Sequence, residues 1–135
     1  MRHRPHPDPR PRGLNGLLAA AALALGTACA GSGAVQPPAS DPYIIGPIES
    51  VEHRATGSGV HVAAGPGSRD PCGIVATVDA GTRVMRRAAG GGLVSATAAD
   101  LRVGEMVEVY VEGPVMESCP LQGRAGAMVL IGGAR

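Results

Sequence analysis

The sequence contains no Phe, no Trp and no Lys, and its only aromatic side chains are those of Tyr43 and Tyr110. Proteins that bind single-stranded nucleic acid stack bases on aromatic rings inside a positively charged groove. The chain has 12 basic residues, all of them Arg, against 11 acidic residues. It therefore offers neither the rings nor the excess of positive charge, and we expect no nucleic-acid partner.

The sequence motifs of the common enzyme classes are also missing. There is no Gly-rich phosphate loop, no Gly-x-Ser-x-Gly nucleophile elbow and no His-Glu-x-x-His zinc motif. A recognisable zinc site needs ligands paired at CxxC or HxxxH spacing, which is not found among the following residues: His53, His61, Cys72 and Cys119. We therefore expect a protein that is not an enzyme, with no metal site and no cofactor.

The N-terminus has the organisation of a secretory signal peptide, which we assign to residues 1–28. Residues 1–12 carry four Arg and four Pro, and residues 16–28 form a small apolar run. This run is shorter than the roughly 20 apolar residues that span a bilayer. Cleavage after residue 28 removes four Arg and one Asp and leaves 8 basic and 10 acidic residues, a net charge of −2.

The segment Leu25 to Cys29, with the sequence LGTAC, resembles a bacterial lipobox. The resemblance implies that Cys29 receives a lipid and becomes the new N-terminus, which would anchor the protein to a membrane of the cell envelope. Ordinary cleavage after Ala28 or Ala30 would instead give a secreted protein, and an uncleaved anchor is the third alternative. Residues 29–42 are rich in Gly, Ser, Pro and Ala and predict a flexible tether.

Residues 43–133 form one small domain in which strand patterns dominate. In residues 105–112, Val107, Val109 and Val111 alternate with polar residues, as in a half-buried strand. Similar runs lie in residues 43–51, 59–65, 73–79, 81–87 and 125–132. One helical signal is a capping box between Thr97 and Asp100, after which Leu101 and Val103 would pack on the core. These patterns predict a mainly β fold, a small barrel of five or six strands with one short helix.

The lack of large aromatic residues limits the core to Val, Ile, Leu, Met and Ala, and such a small domain gains from a covalent link. Two cysteines remain besides Cys29, namely Cys72 and Cys119. In an exported protein a disulfide between them is the default expectation. The alternative is a reactive thiol at Cys119, for which the only bases in this domain would be His53 and His61.

The stretch ADLRVGEMVEVYVEGPVMESCPLQGRA, which begins at Ala99, resembles the C-terminal half of the YobA-like family of bacterial envelope domains, whose function is unknown. The family pattern is carried by thirteen positions: Asp100, Leu101, Val103, Gly104, Val107, Val109, Gly113, Pro114, Val115, Glu117, Ser118, Pro120 and Gln122. The resemblance implies an OB-like barrel, and many members are predicted lipoproteins. Cys119 stands where the family usually has an aromatic residue, which is easier to understand if Cys72 reaches it.

Pro114 lacks a backbone donor, so Gly113-Pro114 is predicted to end the strand that precedes it. The connection that follows carries three polar side chains, Glu117, Ser118 and Gln122, which either form a candidate ligand-binding loop or satisfy backbone groups of the loop.

The sequence as a whole predicts a non-catalytic cell-envelope lipoprotein with a binding or interaction module for a small ligand or another envelope protein. The alternative is an unanchored secreted domain that binds oligosaccharide or peptidoglycan.

Overall fold

The computed structural model describes residues 35–132. The predicted signal peptide and Cys29 lie outside these residues. The described part contains seven strands and one short 3-10 helix, Ala98–Asp100. The strands are β1 (Ile44–Arg54), β2 (Gly57–Val62), β3 (Ile74–Val78), β4 (Arg83–Arg87), β5 (Leu93–Ser95), β6 (Met106–Met116) and β7 (Leu121–Leu130).

Five of the strands close into a barrel in the order β1-β2-β3-β7-β6, with β6 pairing back to β1. All these pairs are antiparallel except β3 with β7, which is parallel. The other two strands, β4 and β5, extend the sheet beyond the barrel. The predicted mainly β fold, a small barrel with one short helix, is thus confirmed, while β5 was not predicted.

The barrel interior is filled by the residues that the alternation placed on one face. Val107 and Val109 of β6 are fully buried, as are Ile74 and Ala76 of β3. The largest fully buried side chains of this core are Ile44, Ile48, Ile74, Met128 and Leu130. Side chains of this kind each stabilise the fold by about 1.5–3 kcal/mol when buried, and no Phe or Trp adds to them.

Strand β7 is long enough to pair with two successive strands on one side. Its first half pairs with β3 and its second half with β4, both in parallel. Residues 79–82 form the turn between β3 and β4. The Thr82 hydroxyl donates a hydrogen bond to the carbonyl of Ala125 at 2.7 Å. Arg124 clamps the same turn, since Nε and Nη2 each donate to one oxygen of Asp79, at 2.8 and 2.9 Å. These hydrogen bonds from Arg124 hold the pKa of the Asp79 carboxyl below its usual value.

A β-bulge in β1 changes which side chains face outward. Ile48 pairs with Val62, but the next pair is Ser50 with His61, so Glu49 is an extra residue on β1. The bulge lets Ile48 and Val51 both face the core. In turn, the polar residues on either side of Val51 lie on the outer face of the barrel.

Two local predictions are wrong. Strand β6 does not end at Gly113-Pro114 but continues to Met116. Pro114 lies in an irregular stretch between the pairs Glu112–Arg124 and Met116–Gln122, where its nitrogen needs no ladder partner. Val103 does not pack on the core either.

The short helix explains the second error. Its capping box is present, with the Thr97 amide donating to the Asp100 carboxylate at 2.8 Å. Leu101 follows and is only 4% exposed, but Val103 is 66% exposed. The chain leaves the helix in an extended conformation at Leu101, so one apolar side chain, not two, reaches the core.

The last residues of the predicted tether lie against the barrel. Residues 35–42 have no helix or strand. Val35 packs on a second small cluster that Met85, Ala127 and Val129 form on the outer side of the sheet. The Gln36 carbonyl accepts a hydrogen bond from Nη1 of Arg83 at 3.2 Å. The start of the predicted tether, residues 29–34, lies outside the described range.

The predicted disulfide is confirmed. Cys72, in the loop between β2 and β3, is bonded to Cys119, in the connection between β6 and β7, with Cα atoms 5.1 Å apart. The sulfur of Cys119 is therefore not a free nucleophile, and the alternative of a reactive thiol is wrong. The bond ties two connections of the barrel that are 47 positions apart in sequence.

Candidate functional site

A polar groove of about 340 Å³ lies on the outer face of the barrel, and we call it the outer groove. It is lined by Ser50, Glu52, Arg54, Gly59, His61, Val75 and Gln122. These residues come from four neighbouring strands, β1, β2, β3 and β7. Its volume lies at the lower end of the range of small-molecule sites, roughly 300–1,000 Å³.

Strand pairing aligns four of the lining residues in one row across the sheet. Ser50 is opposite His61, His61 is opposite Val75, and Val75 is opposite Gln122. Neighbouring strands are about 4.8 Å apart, so this row spans roughly 14 Å. A hydroxyl, an imidazole and an amide thus share one line, with a single apolar side chain among them.

A second row runs beside the first. It contains Glu52, Gly59, Thr77 and Arg124, which are paired in that order across the same four strands. Gly59 is buried and forms part of the floor. A Cβ atom at this position would lie 2.9 Å from Nη2 and 3.3 Å from Cζ of Arg54. The guanidinium of Arg54 therefore lies over the glycine, in space that any side chain would fill.

The His61 ring is held by the residue that forms the bulge. Its Nδ1 lies 3.2 Å from Oε2 of Glu49. A histidine nitrogen engaged by a carboxylate fixes the orientation of the ring and leaves the other nitrogen to bind elsewhere. The bulge at Glu49 thus both aims the outward side chains of β1 and positions the neighbouring imidazole.

The predicted ligand-binding loop is divided by the structure. Gln122 is exposed on β7 and lines the outer groove. The Ser118 hydroxyl instead donates to the Pro120 carbonyl at 2.7 Å, within its own connection. Glu117 is exposed on that connection and does not line the groove. The structure therefore brings one of the three predicted residues to the site.

Four polar lining residues were missed by the sequence analysis, and they are Ser50, Glu52, Arg54 and His61. His61 was considered only as a zinc ligand and as a base for Cys119. A usable signal exists in Ser50, Glu52 and Arg54, which occupy alternate positions of the strand before the turn at residues 55–56. Their relation to Gln122, however, depends on how the barrel closes.

A serine–histidine pair lies at the end of the hairpin of β1 and β2. His53 Nδ1 is 3.2 Å from the Ser58 hydroxyl, and the two residues are directly opposite in the strand register. Ser58 is 8% exposed, on the side of its strand that carries Val60 into the core. Its hydroxyl is thus closed to a substrate in the outer groove, and the contact satisfies two polar groups at the end of the hairpin.

A second, more open depression of about 260 Å³ lies between residues 38–40 and the outer face of β6 and β7. Beside it the Tyr110 hydroxyl donates to Glu108 at 2.8 Å, and Arg87 donates to the same carboxylate at 3.3 Å. Burial and this hydrogen bond raise the pKa of Tyr110 to about 12. The phenol therefore stays neutral and acts as a donor at physiological pH.

Two further properties concern residues 35–132 only. In this range no group of three or more His, Cys, Asp or Glu side chains is arranged to hold a metal ion. The same range contains no helix of sufficient length and hydropathy to cross a membrane.

The chain was compared with known proteins at three levels. No family model matches it, and neither the curated proteins nor the solved structures contain a significant match.

Proposed function

We propose that the protein is a non-catalytic lipoprotein of the cell envelope whose barrel binds a small ligand in the outer groove. The order of the barrel strands supports an OB-like barrel, because the third strand of the barrel pairs with the fifth and the fourth pairs with the first. The lipobox-like segment that ends at Cys29 supports the lipid anchor. The disulfide is consistent with an oxidising compartment outside the cytoplasm.

The observation that carries the binding proposal is the outer groove itself. Four strands bring donors and acceptors of five chemical kinds to one concave surface with a floor of Gly59 and Val75. Ligand sites commonly combine a preformed concave surface with a few polar groups that fix orientation. The acidic side chain of the groove, that of Glu52, is 71% exposed. Such a solvated carboxylate is suited to hydrogen bonding and lacks the burial that tunes a general acid.

The alternative function is that of an unanchored secreted domain that binds oligosaccharide or peptidoglycan. The two proposals share the barrel and the groove and differ at Cys29. A nucleic-acid ligand is disfavoured for both, because the two aromatic residues, Tyr43 and Tyr110, lie within the described range and neither lines the groove.

Intact mass spectrometry of the full chain, expressed in a bacterium with a lipoprotein pathway, tests the anchor. We expect a species that begins at Cys29 and carries a diacylglyceryl or triacyl modification. The matched control is Cys29→Ser, which should carry no lipid. An unmodified wild-type chain that begins at residue 29 or 31 would instead establish the secreted alternative.

Binding to the outer groove is tested with the full-length Cys29→Ser protein and soluble muropeptides released from bacterial cell wall by a muramidase. We expect amide chemical-shift changes in two-dimensional NMR spectra at Gly59, His61 and Gln122, because these residues line the groove. Leu93 and Val94 of β5, which do not line it, serve as internal controls. The absence of shift changes at saturating digest, or changes confined to β5, would contradict the proposal.

A further inference from the structure

The guanidinium of Arg54 makes few hydrogen bonds to the described part of the protein. The hydrogen bond that it makes within the described residues joins its Nη2 to Oε2 of Glu52, at 3.5 Å. A guanidinium carries five N–H donors in a rigid fork. The Arg54 side chain is 54% exposed, and among the described residues Glu52 is the one hydrogen-bond partner of its guanidinium.

Arg124, which lies in the second row, is an arginine of the same sheet whose guanidinium is hydrogen-bonded to two carboxylates. It binds both oxygens of Asp79 and donates to Glu112 at 2.6 Å. In contrast, no carboxylate among residues 35–132 binds Arg54 in a bidentate manner. The geometry that an arginine fork fits best is a carboxylate with two parallel hydrogen bonds.

The location of the Arg54 fork is set by the sheet below it. Because Gly59 has no side chain, the guanidinium can lie on the floor of the groove, where a Cβ atom would be 2.9 Å from Nη2. Held in this way, the cation loses less side-chain freedom when a ligand binds. Gly59 therefore acts as a positioning residue for Arg54.

Two carboxylates lie near the groove among the described residues, and each faces one basic side chain. Glu52 reaches Arg54, and Glu49 lies beside His61. The remaining groups are neutral donors and acceptors, among them Ser50 and Gln122, one row away along the strands. Two residues along a strand correspond to about 7 Å, so a ligand with an anionic end and an amide or hydroxyl group a few ångströms away would meet complementary groups at both ends.

We infer that the outer groove recognises a small carboxylate-bearing ligand, with the carboxylate bound by Arg54 above Gly59 and an amide or hydroxyl group bound in the row of Ser50, His61 and Gln122. The inference rests on the proposed function and names its ligand chemistry. Both a sugar acid and the C-terminus of a peptide carry such a carboxylate. The experiment below distinguishes a sugar acid from a peptide C-terminus.

The test uses two pairs of probes that differ only in the carboxylate-bearing group. N-acetylmuramic acid is compared with N-acetylglucosamine, and N-acetyl-alanyl-alanine with its C-terminal amide, by NMR titration of the Cys29→Ser protein. A charge-assisted bidentate contact predicts that the acid of at least one pair binds roughly tenfold more tightly, or more, than its neutral partner. The pair that shows this difference identifies the source.

Variants at adjacent positions supply matched controls. Arg54→Gln should remove the preference for the acid, whereas Glu52→Gln, which deletes a negative charge at the same site, should preserve or increase it. Gly59→Ala should weaken acid binding as Arg54→Gln does, because its methyl group displaces the flexible end of Arg54 without a clash with backbone. Agreement between Arg54→Gln and Gly59→Ala would separate loss of the fork from a folding defect.

Equal binding of acids and neutral partners at the groove would overturn the carboxylate inference and leave the proposed function intact. The same holds if muropeptides shift the groove amides of Arg54→Gln as strongly as those of the parent protein. If neither the probes nor the muropeptide digest shift any groove residue, both the inference and the proposed function fail.

Discussion

Replacing both Cys72 and Cys119 by alanine is expected to lower the free energy of unfolding by about 4 kcal/mol. The bond closes a loop of 47 positions, for which the entropy removed from the unfolded chain corresponds to about 4 kcal/mol. A small domain has only about 5–15 kcal/mol in total. Because the core contains no Phe or Trp, we expect the double variant to be close to its stability limit. Urea unfolding followed by circular dichroism measures the loss.

The chemical control is the wild-type protein in reductant, which should unfold at nearly the same urea concentration as the double variant. A substitution at the exposed Val94 should not change the response to reductant, because Val94 is on β5, away from both cysteines. A double variant within about 1 kcal/mol of the oxidised wild type, well below the 2–5 kcal/mol typical of a native disulfide, would show that the disulfide is not the main staple of the barrel.

The parts of the fold that follow a strict alternation could be predicted from the sequence. Val107 and Val109 face inward as expected. In a strand with one solvent-exposed face, the alternation of apolar and polar residues determines which side chains are buried. The disulfide was also predictable, since the domain has two cysteines. In contrast, β5 has only three residues, of which two are exposed, and such a strand leaves almost no periodic signal.

Irregular pairing accounts for the error at Pro114 and for one feature that was not predicted, the bulge in β1. The extra residue Glu49 reverses the alternation in β1, and a bulge of this kind is defined by the partner strand, not by the strand itself. Pro114 was expected to end β6 because it cannot donate to a ladder. It is accommodated because the pairing with β7 is interrupted at this position. Neither feature could be recognised without the register of the neighbouring strand.

The candidate site was harder to predict than the fold for a related reason. Gln122 was selected from the sequence, but for a loop, and its neighbours Ser50 and His61 come from strands that only barrel closure brings beside it. The position of Arg54 depends on a missing side chain at Gly59. Sequence patterns indicate which face of the sheet a residue occupies. A site on the outside of a barrel also depends on which residues of the adjacent strands lie beside it.

The second large effect is expected for Gly46→Ala in β1. Gly46 is buried, and a Cβ atom there would overlap the carbonyl oxygen of Ala63. The backbone cannot separate easily, because the Ala63 amide donates to the Pro47 carbonyl at 3.1 Å and the Gly65 amide to the Ile45 carbonyl at 2.7 Å. One added methyl group must break these hydrogen bonds or strain the strand, so we expect a loss of about 3 kcal/mol or more.

The matched control is Gly92→Ala, the same chemical change at a glycine with no atom within 4 Å of the added Cβ. Its free energy of unfolding should stay within about 0.5 kcal/mol of the wild type. Amide hydrogen exchange at Ala63 and Gly65 gives a second readout, since both amides should lose protection in Gly46→Ala and keep it in Gly92→Ala. If both variants were equally stable, the crossing of Gly46 by residues 63–65 would not be as close as the structure describes.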